Sequence, residues 1–347
     1  MGKAINEKFI SIFPSNDRWY LQNSIFDTKK KDEWNRFFVK LKKNLNQKNI
    51  EINTYDIQTE KAPYKYVYID LPYPWNFSAW KLVFLNRKKN ILILTEPPMV
   101  HPFNYIKAFH IFFYKIYTWN SDLADNEKTF NYRLPKSDTG INTSPKRFKN
   151  KKLLVLINAN KLSFYPFKHL MPFGRELYSE RIEAIEFFEN KIPDKFFLYG
   201  KGWNKPRKHN LKENTLGFKK YSTYKGEVMD KIKVLKNFKY CLCFENMTDV
   251  NGYITEKIFD CFKARCIPIY LGAQDIEKII PKECFIDFRN FKGYEELLNY
   301  LSSIDEKEYN NYIKNIRNLL KDKKFSKLWF EDGFTKFFIE DVLEIKH

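Results

Sequence analysis

Apolar runs of strand length alternate with helix-spaced segments along this chain, and the alternation stops and restarts around one polar stretch, residues 133–152. Before that stretch, residues 9–13, 66–71, 90–94 (NILIL), 112–119 and 128–134 read as strands. Residues 32–46 place Trp34, Phe37, Phe38, Leu41 and Leu45 at helical spacing, and residues 76–85 read as a second helix. The stretch itself is rich in Pro, Ser, Asn, Thr, Gly and Lys, a linker composition. Beyond it come the strand KLLVLI (152–157), a helix over 176–190, a strand over 195–199 and a helix over 228–237. The strand YCLCF, a helix after Tyr253, the strand CIPIY, a helix near Asp275 and the strand CFIDF follow, and residues from 294 onward read as three helices.

Such alternation on both sides of a linker predicts two α/β domains with largely parallel sheets. Ligands of these sheets bind outside the carboxyl ends of the strands. A cleft between facing domains is expected, with EPP (96–98) and FEN (244–246) both at strand ends. The chain has no GxGxxG and no GxxxxGK[ST], so neither the dinucleotide nor the P-loop fingerprint is present.

A formal net charge of +19 points to anionic partners: a nucleotide, a phosphorylated glycan, nucleic acid or phospholipid. The lysines are scattered in short groups (29–31, 42–43, 321–324), which reads either as a solvated lysine-biased face or as weak attraction to an acidic membrane surface. The first residues, MGKAINEKFISIF, lack a signal-peptide apolar core, and no run reaches transmembrane length. The five cysteines, odd in number and without CxxC spacing, read as reduced core thiols. A cytoplasmic protein is the expectation.

The most informative run is FENMTDVNGYITEKIFDCFKARCIPIYLG, residues 244–272. Ile254, Ile258, Cys261 and Phe262 mark the buried face of its helix, and Glu256 and Lys257 occupy the first turn. A lysine there opposes the helix dipole unless an anion such as phosphate docks. The plainer readings are a helix-start carboxylate and a surface lysine. Arg181, three residues after Tyr178, lies at the edge of an apolar stripe and calls for an anionic partner, either a protein carboxylate or a diphosphate. Arg175 is a second candidate. Glu245, Asn246, Asp249 and Asn251, in the loop before Tyr253, suit ribose or sugar hydroxyls, and Tyr253 suits stacking on a base or sugar; the alternative is a turn rich in Asn, Asp and Gly. Glu96, stiffened by Pro97 and Pro98 after NILIL, is placed for general-base work or for a structural role. No spacing suggests metal ligands, and Tyr73, Trp75 and Trp119 read either as core or as sugar platforms.

FEN, the variable loop, GYITEK and the PIYLG turn together resemble the signature of glycosyltransferase family 10, the α-1,3/1,4-fucosyltransferases. LYGKGW (198–203), the helix carrying Arg181 and PKECFIDFRNF (281–291) match as well; TEPPMVHPFNY and IYTWNSDL match more loosely. The resemblance implies a GT-B fold of two Rossmann-like domains facing a cleft. Residues 1–150 would bind the acceptor, residues 151–325 the GDP-sugar, and a helix within 326–347 would cross back to the first domain. It implies GDP-fucose as donor, inversion at the anomeric carbon, no required metal or other cofactor, and a glycan acceptor, with no nucleic acid partner. Carried over by motif, Arg181 and Lys257 would neutralise the diphosphate. Asn246, Tyr253 and Glu256 would hold ribose, phosphates and fucose, and Glu96 would be the base. Two other readings stay open: another GDP-sugar donor, and a non-catalytic basic polyanion-binding protein.

Overall fold

The computed structural model describes residues 8–14, 20–30, 33–57, 59–60, 62–139, 141, 146–161, 173–206 and 219–345. Lys31 and part of the polar linker stretch lie outside the described residues. The chain divides into two compact units, residues 1–138 with 326–347, and residues 139–325. The division falls inside the stretch 133–152.

The first unit is built on six parallel strands: β1 (Lys8–Phe13), β2 (Ile50–Thr54), β3 (Lys65–Ile69), β4 (Asn90–Leu94), β5 (Lys115–Thr118) and β6 (Thr129–Asn131). Their order is β2-β1-β3-β4-β5-β6. NILIL is buried along its whole length, as a strand covered on both faces must be. β2 has no counterpart among the strands expected from sequence. Its residues IEINT mix polar with apolar, which an edge strand tolerates because one flank is unpaired.

Helix Phe77–Leu85 begins at Asn76, whose side chain accepts the Ala79 N–H at 3.1 Å. It packs Ala79, Trp80 and Val83 into a core shared with Tyr68, Leu92 and Phe113. Helix Glu33–Asn46 buries Phe37, Phe38, Leu41 and Leu45 at the expected spacing. Trp119 is core, whereas Trp75 is exposed.

In the second unit, β7 (Lys152–Ile157), β9 (Phe196–Tyr199), β10 (Phe238–Phe244), β12 (Ile267–Leu271) and β13 (Ile286–Asp287) form a parallel sheet ordered β13-β12-β10-β7-β9. The short strands β8 (Arg175–Glu176) and β11 (Met247–Thr248) pair antiparallel beside it. Because β9 and β10 lie on opposite flanks of β7, the strand order reverses there, and the exits of β7 and β10 adjoin. All five cysteines are buried and unbridged.

The carboxyl-terminal part is more broken than the three helices expected. After helix Tyr294–Ser303 come Glu306–Lys321, Lys323–Trp329, Glu331–Phe337 and a wide turn of helix at Phe338–Val342. The breaks have local causes. Asp305 caps one start by accepting the Glu308 N–H at 2.8 Å, and Asp322 accepts the Phe325 N–H at 2.7 Å. Within the first unit the last residues are tied to the sheet: Phe337 stacks on Tyr132 at 5.2 Å, and Lys115 Nζ lies 3.2 Å from Glu344.

Candidate active site

β10 ends at Phe244, and the carboxylate of the next residue, Glu245, is fully buried. Its Oε1 accepts the Thr255 N–H at 2.7 Å; its Oε2 accepts the Thr255 hydroxyl at 2.6 Å and the Lys257 ammonium at 3.0 Å. Thr255 is the N-cap of helix Glu256–Ala264, so Glu245 fastens the helix start to the sheet and sets a negative charge against the positive end of its dipole. The first-turn lysine, expected from sequence to require a bound anion, therefore already has one within the protein. Burial works against the Lys257 ammonium, but Glu245 and Glu256 outweigh it and hold its pKa above the usual value.

Arg181 lies in helix Tyr178–Lys191, started by Glu176, whose carboxylate accepts the N–H groups of Tyr178 at 2.6 Å and Ser179 at 3.1 Å. Among the described residues this buried guanidinium is held not by a carboxylate, one of the two partners expected from sequence, but by neutral groups at the exit of β10. Its Nη2 donates to the carbonyl oxygens of Phe244 (2.8 Å) and Glu245, and to Asn246 Oδ1 at 3.0 Å. Its Nε has no hydrogen-bond partner among the described residues. Burial lowers its pKa from a very high starting point, with Tyr178 and Glu245 opposing. The guanidinium carbon also lies 5.0 Å from the Tyr178 ring centroid.

Arg181, Asn246, Glu256 and Lys257 line one cavity of about 390 Å³ at the carboxyl ends of the second sheet. Its wall also includes Asn158 after β7 and Gly200 and Lys201 after β9, so it lies where the strand order reverses. Among the described residues, five cationic side chains line it against two carboxylates: Lys161, Arg181, Lys201, Lys231 and Lys257 face Glu227 and Glu256. Lys231 Nζ lies 3.3 Å from Glu256 Oε1. Lys201 falls within the LYGKGW match, whereas Lys161 and Lys231 carry no signal in the sequence, because lysine is everywhere in it.

Tyr253 stands differently from its expected role. It is 2% exposed, and its hydroxyl accepts from Asn246 Nδ2 at 3.3 Å, behind the cavity wall. A ring so covered offers no open face for stacking on a base or a sugar, and its hydroxyl holds the Asn246 amide. Arg175 is exposed and lies 3.6 Å from both Glu180 and Asp249.

Glu96 belongs to the first unit, just beyond β4. Its backbone is held on both sides: its N–H donates to Asp70 Oδ1 at 3.1 Å, and its carbonyl accepts the Tyr105 hydroxyl at 2.7 Å. Asp70, buried and in the left-handed region at φ 61°, also accepts the Thr95 N–H at 2.6 Å and Asn104 Nδ2 at 2.7 Å. One buried carboxylate thus fixes the whole turn that carries Glu96. Sequence reasoning passed over Asp70. Among the described residues, no group of three or more His, Cys, Asp or Glu has metal-holding geometry, and no helix is long and apolar enough to cross a membrane.

Residues 199–329 match the family model described as glycosyltransferase family 10 (fucosyltransferase), C-terminal. The α-(1,3)-fucosyltransferase FucT of Helicobacter pylori is 36% identical over 88 residues, which cover 25% of this chain and 16% of that protein. The α-(1,4)-fucosyltransferase of Arabidopsis thaliana is 32% identical over 80 residues, 22% of this chain and 20% of that one. The chain thus spans a small fraction of the curated relatives it matches. A crystal structure of an α1,3-fucosyltransferase superposes with a TM-score of 0.53 at 16% identity, over 100% of this chain and 93% of that one. The likeness to glycosyltransferase family 10 thus rests on residues 199–329, and the fold of the chain is of the GT-B type.

Proposed function

We propose that the protein transfers fucose from GDP-fucose to a hydroxyl of a glycan acceptor, with inversion at the anomeric carbon. The observation that carries this reading is the meeting of Arg181 and Lys257, from two separate helices, on one cationic cavity at a strand-order reversal. A departing nucleoside diphosphate gains negative charge, and preset cations stabilise that charge most where water is scarce. Lys161, Lys201 and Lys231 extend the same field along the wall. With this many cations the leaving group needs no metal, and a divalent ion would at most stimulate.

Asn246, turned by Tyr253, and Glu256 offer an amide and a carboxylate to ribose or fucose hydroxyls. A carboxylate near the sugar also favours an oxocarbenium-like carbon, by analogy with glycoside hydrolysis. Glu96 takes the proton from the acceptor hydroxyl, and a single base on the face opposite the leaving group gives inversion. The acceptor is a bacterial surface polysaccharide or lipopolysaccharide precursor, joined by an α-1,3-type linkage. The protein works in the cytoplasm, at the inner face of the membrane.

The test is thermal stabilisation by GDP together with GDP release from candidate sugar nucleotides. GDP raises the melting temperature, and GDP-fucose is turned over. Turnover of GDP-mannose alone would replace fucose as the donor. Failure of GDP to stabilise, with salt-steep binding of oligonucleotides, would leave a polyanion-binding protein instead.

A further inference from the structure

Helix Phe77–Leu85 (FSAWKLVFL) is apolar on both sides. One side packs in the core; the other turns Phe77, Phe84 and Leu85 outward at 80%, 52% and 70% exposure. An amphipathic surface helix would place polar groups there. Ile111 continues the face: Arg87 Nη2 donates to its carbonyl at 3.4 Å, and the Arg87 guanidinium carbon lies 5.1 Å from the centroid of Phe112, whose ring meets Phe84 at 4.7 Å. At the other end Trp75 is 63% exposed, held by Tyr73 stacked at 4.8 Å and by Phe103 edge-on at 5.9 Å. Ile106 is exposed as well.

The charges beside this face have one sign. Lys81, Arg87, Lys88, Lys89 and Lys107 are exposed, and within residues 71–121 Glu96 is the only acidic side chain. Lys81 lies between Phe77 and Phe84 on the outward helix face, and Lys88 follows Phe84 by four residues. Lysine stems lie along apolar surface while their ammonium groups reach phosphate. Large exposed aromatics interleaved with lysine and arginine match the boundary between acyl chains and anionic headgroups.

We infer that this face of the first unit, centred on Phe77, Phe84 and Leu85, docks on a bilayer containing anionic phospholipid. The inference stands apart from the donor cavity, whose residues all belong to the second unit, and holds whichever sugar is transferred. It replaces diffuse lysine attraction with a defined apolar contact.

The experiment is co-sedimentation of the full chain with vesicles of phosphatidylglycerol and phosphatidylethanolamine in equal parts. The variants are Phe84→Ser/Leu85→Ser and Trp75→Phe. The wild type pellets with these vesicles and much less with pure phosphatidylcholine. The double variant partitions about tenfold less or weaker, as expected for losing two large apolar side chains from the contact, while GDP still stabilises it as before. Brominated acyl chains quench part of the wild-type tryptophan emission, and that part disappears in Trp75→Phe. Three results overturn the inference: wild type left in the supernatant, a folded double variant binding as wild type does, or a vesicle-free dimer that the double variant alone dissolves. The last would make a second copy of this chain the occupant.

Discussion

The Lys257 ammonium stands 3.0 Å from the fully buried Glu245 carboxylate, and the two residues come from opposite ends of one loop. Burial of the pair fixes the exit of β10 and the start of helix Glu256–Ala264 as one piece. Removing the carboxylate charge while keeping the shape, as in Glu245→Gln, leaves a largely buried ammonium without its counter-ion. The expected loss is about 3 kcal/mol, measured by urea unfolding at neutral pH. Because the raised Lys257 pKa contributes stability below the usual lysine range and loses it only above, the difference between wild type and variant should be flat through neutral pH and shrink in strong alkali.

Lys257→Ala and Arg181→Ala should each weaken GDP binding, by roughly tenfold or more, as loss of a charge-assisted contact does. Titration calorimetry measures the loss in each variant, and Lys257→Ala also destabilises the unliganded protein by stranding the buried Glu245 carboxylate. Arg181 also holds the carbonyl oxygens of Phe244 and Glu245, so its loss lowers the melting temperature without ligand as well. Unchanged GDP affinity in both variants would refute a pyrophosphate site here.

Glu96→Gln should slow transfer by about 10²–10⁴-fold and leave GDP affinity untouched, the signature of a lost general base. Steady-state rates with a saturating acceptor give the first quantity and calorimetry the second. Normal turnover removes Glu96 from the mechanism.

Asp70→Ala removes the acceptor for the N–H groups of Thr95 and Glu96 and places a side chain at φ 61° that cannot support itself by local hydrogen bonding. A stability loss of about 2–3 kcal/mol is expected, with a fall in kcat and an unchanged Kd for GDP. A fall in GDP affinity would contradict the confinement of its effect to the first unit.

Lys151 provides a pH test. Its Nζ donates to the carbonyls of Phe238 at 3.0 Å and Arg265 at 2.7 Å, and burial brings its pKa down to about 8. The unfolded chain keeps its proton to higher pH, so the unfolded state binds more protons above about pH 8 and this group's contribution to stability rises with pH. From pH 8 to 10, urea unfolding should show wild type gaining about 1–3 kcal/mol relative to Lys151→Met. A constant difference across that window would mean the ammonium is not depressed.

The strands KLLVLI and NILIL were legible because strands covered on both faces are apolar throughout, and the reversal of order around β7 then places the ligand end without further information. β2 was not, because an edge strand need not be apolar. Arg181 and Lys257 stood out as charges against an apolar stripe. Glu245 reads from sequence as a loop carboxylate for sugar hydroxyls, and only the folded chain shows that it is enclosed and held by Thr255 and Lys257 instead. The same holds for Asp70, whose role rests on residues 25 to 34 positions away.

The prior engagement of Lys257 by Glu245 bears on how quickly the cavity empties. An ammonium already held in place gives up little rotational freedom when an anion arrives, which favours capture. The same carboxylate competes with that anion for the positive charge, so the gain on binding is tempered. In the proposed reaction, which ends with the departure of a charged nucleotide, a cation shared with the scaffold would shorten the last step of the cycle.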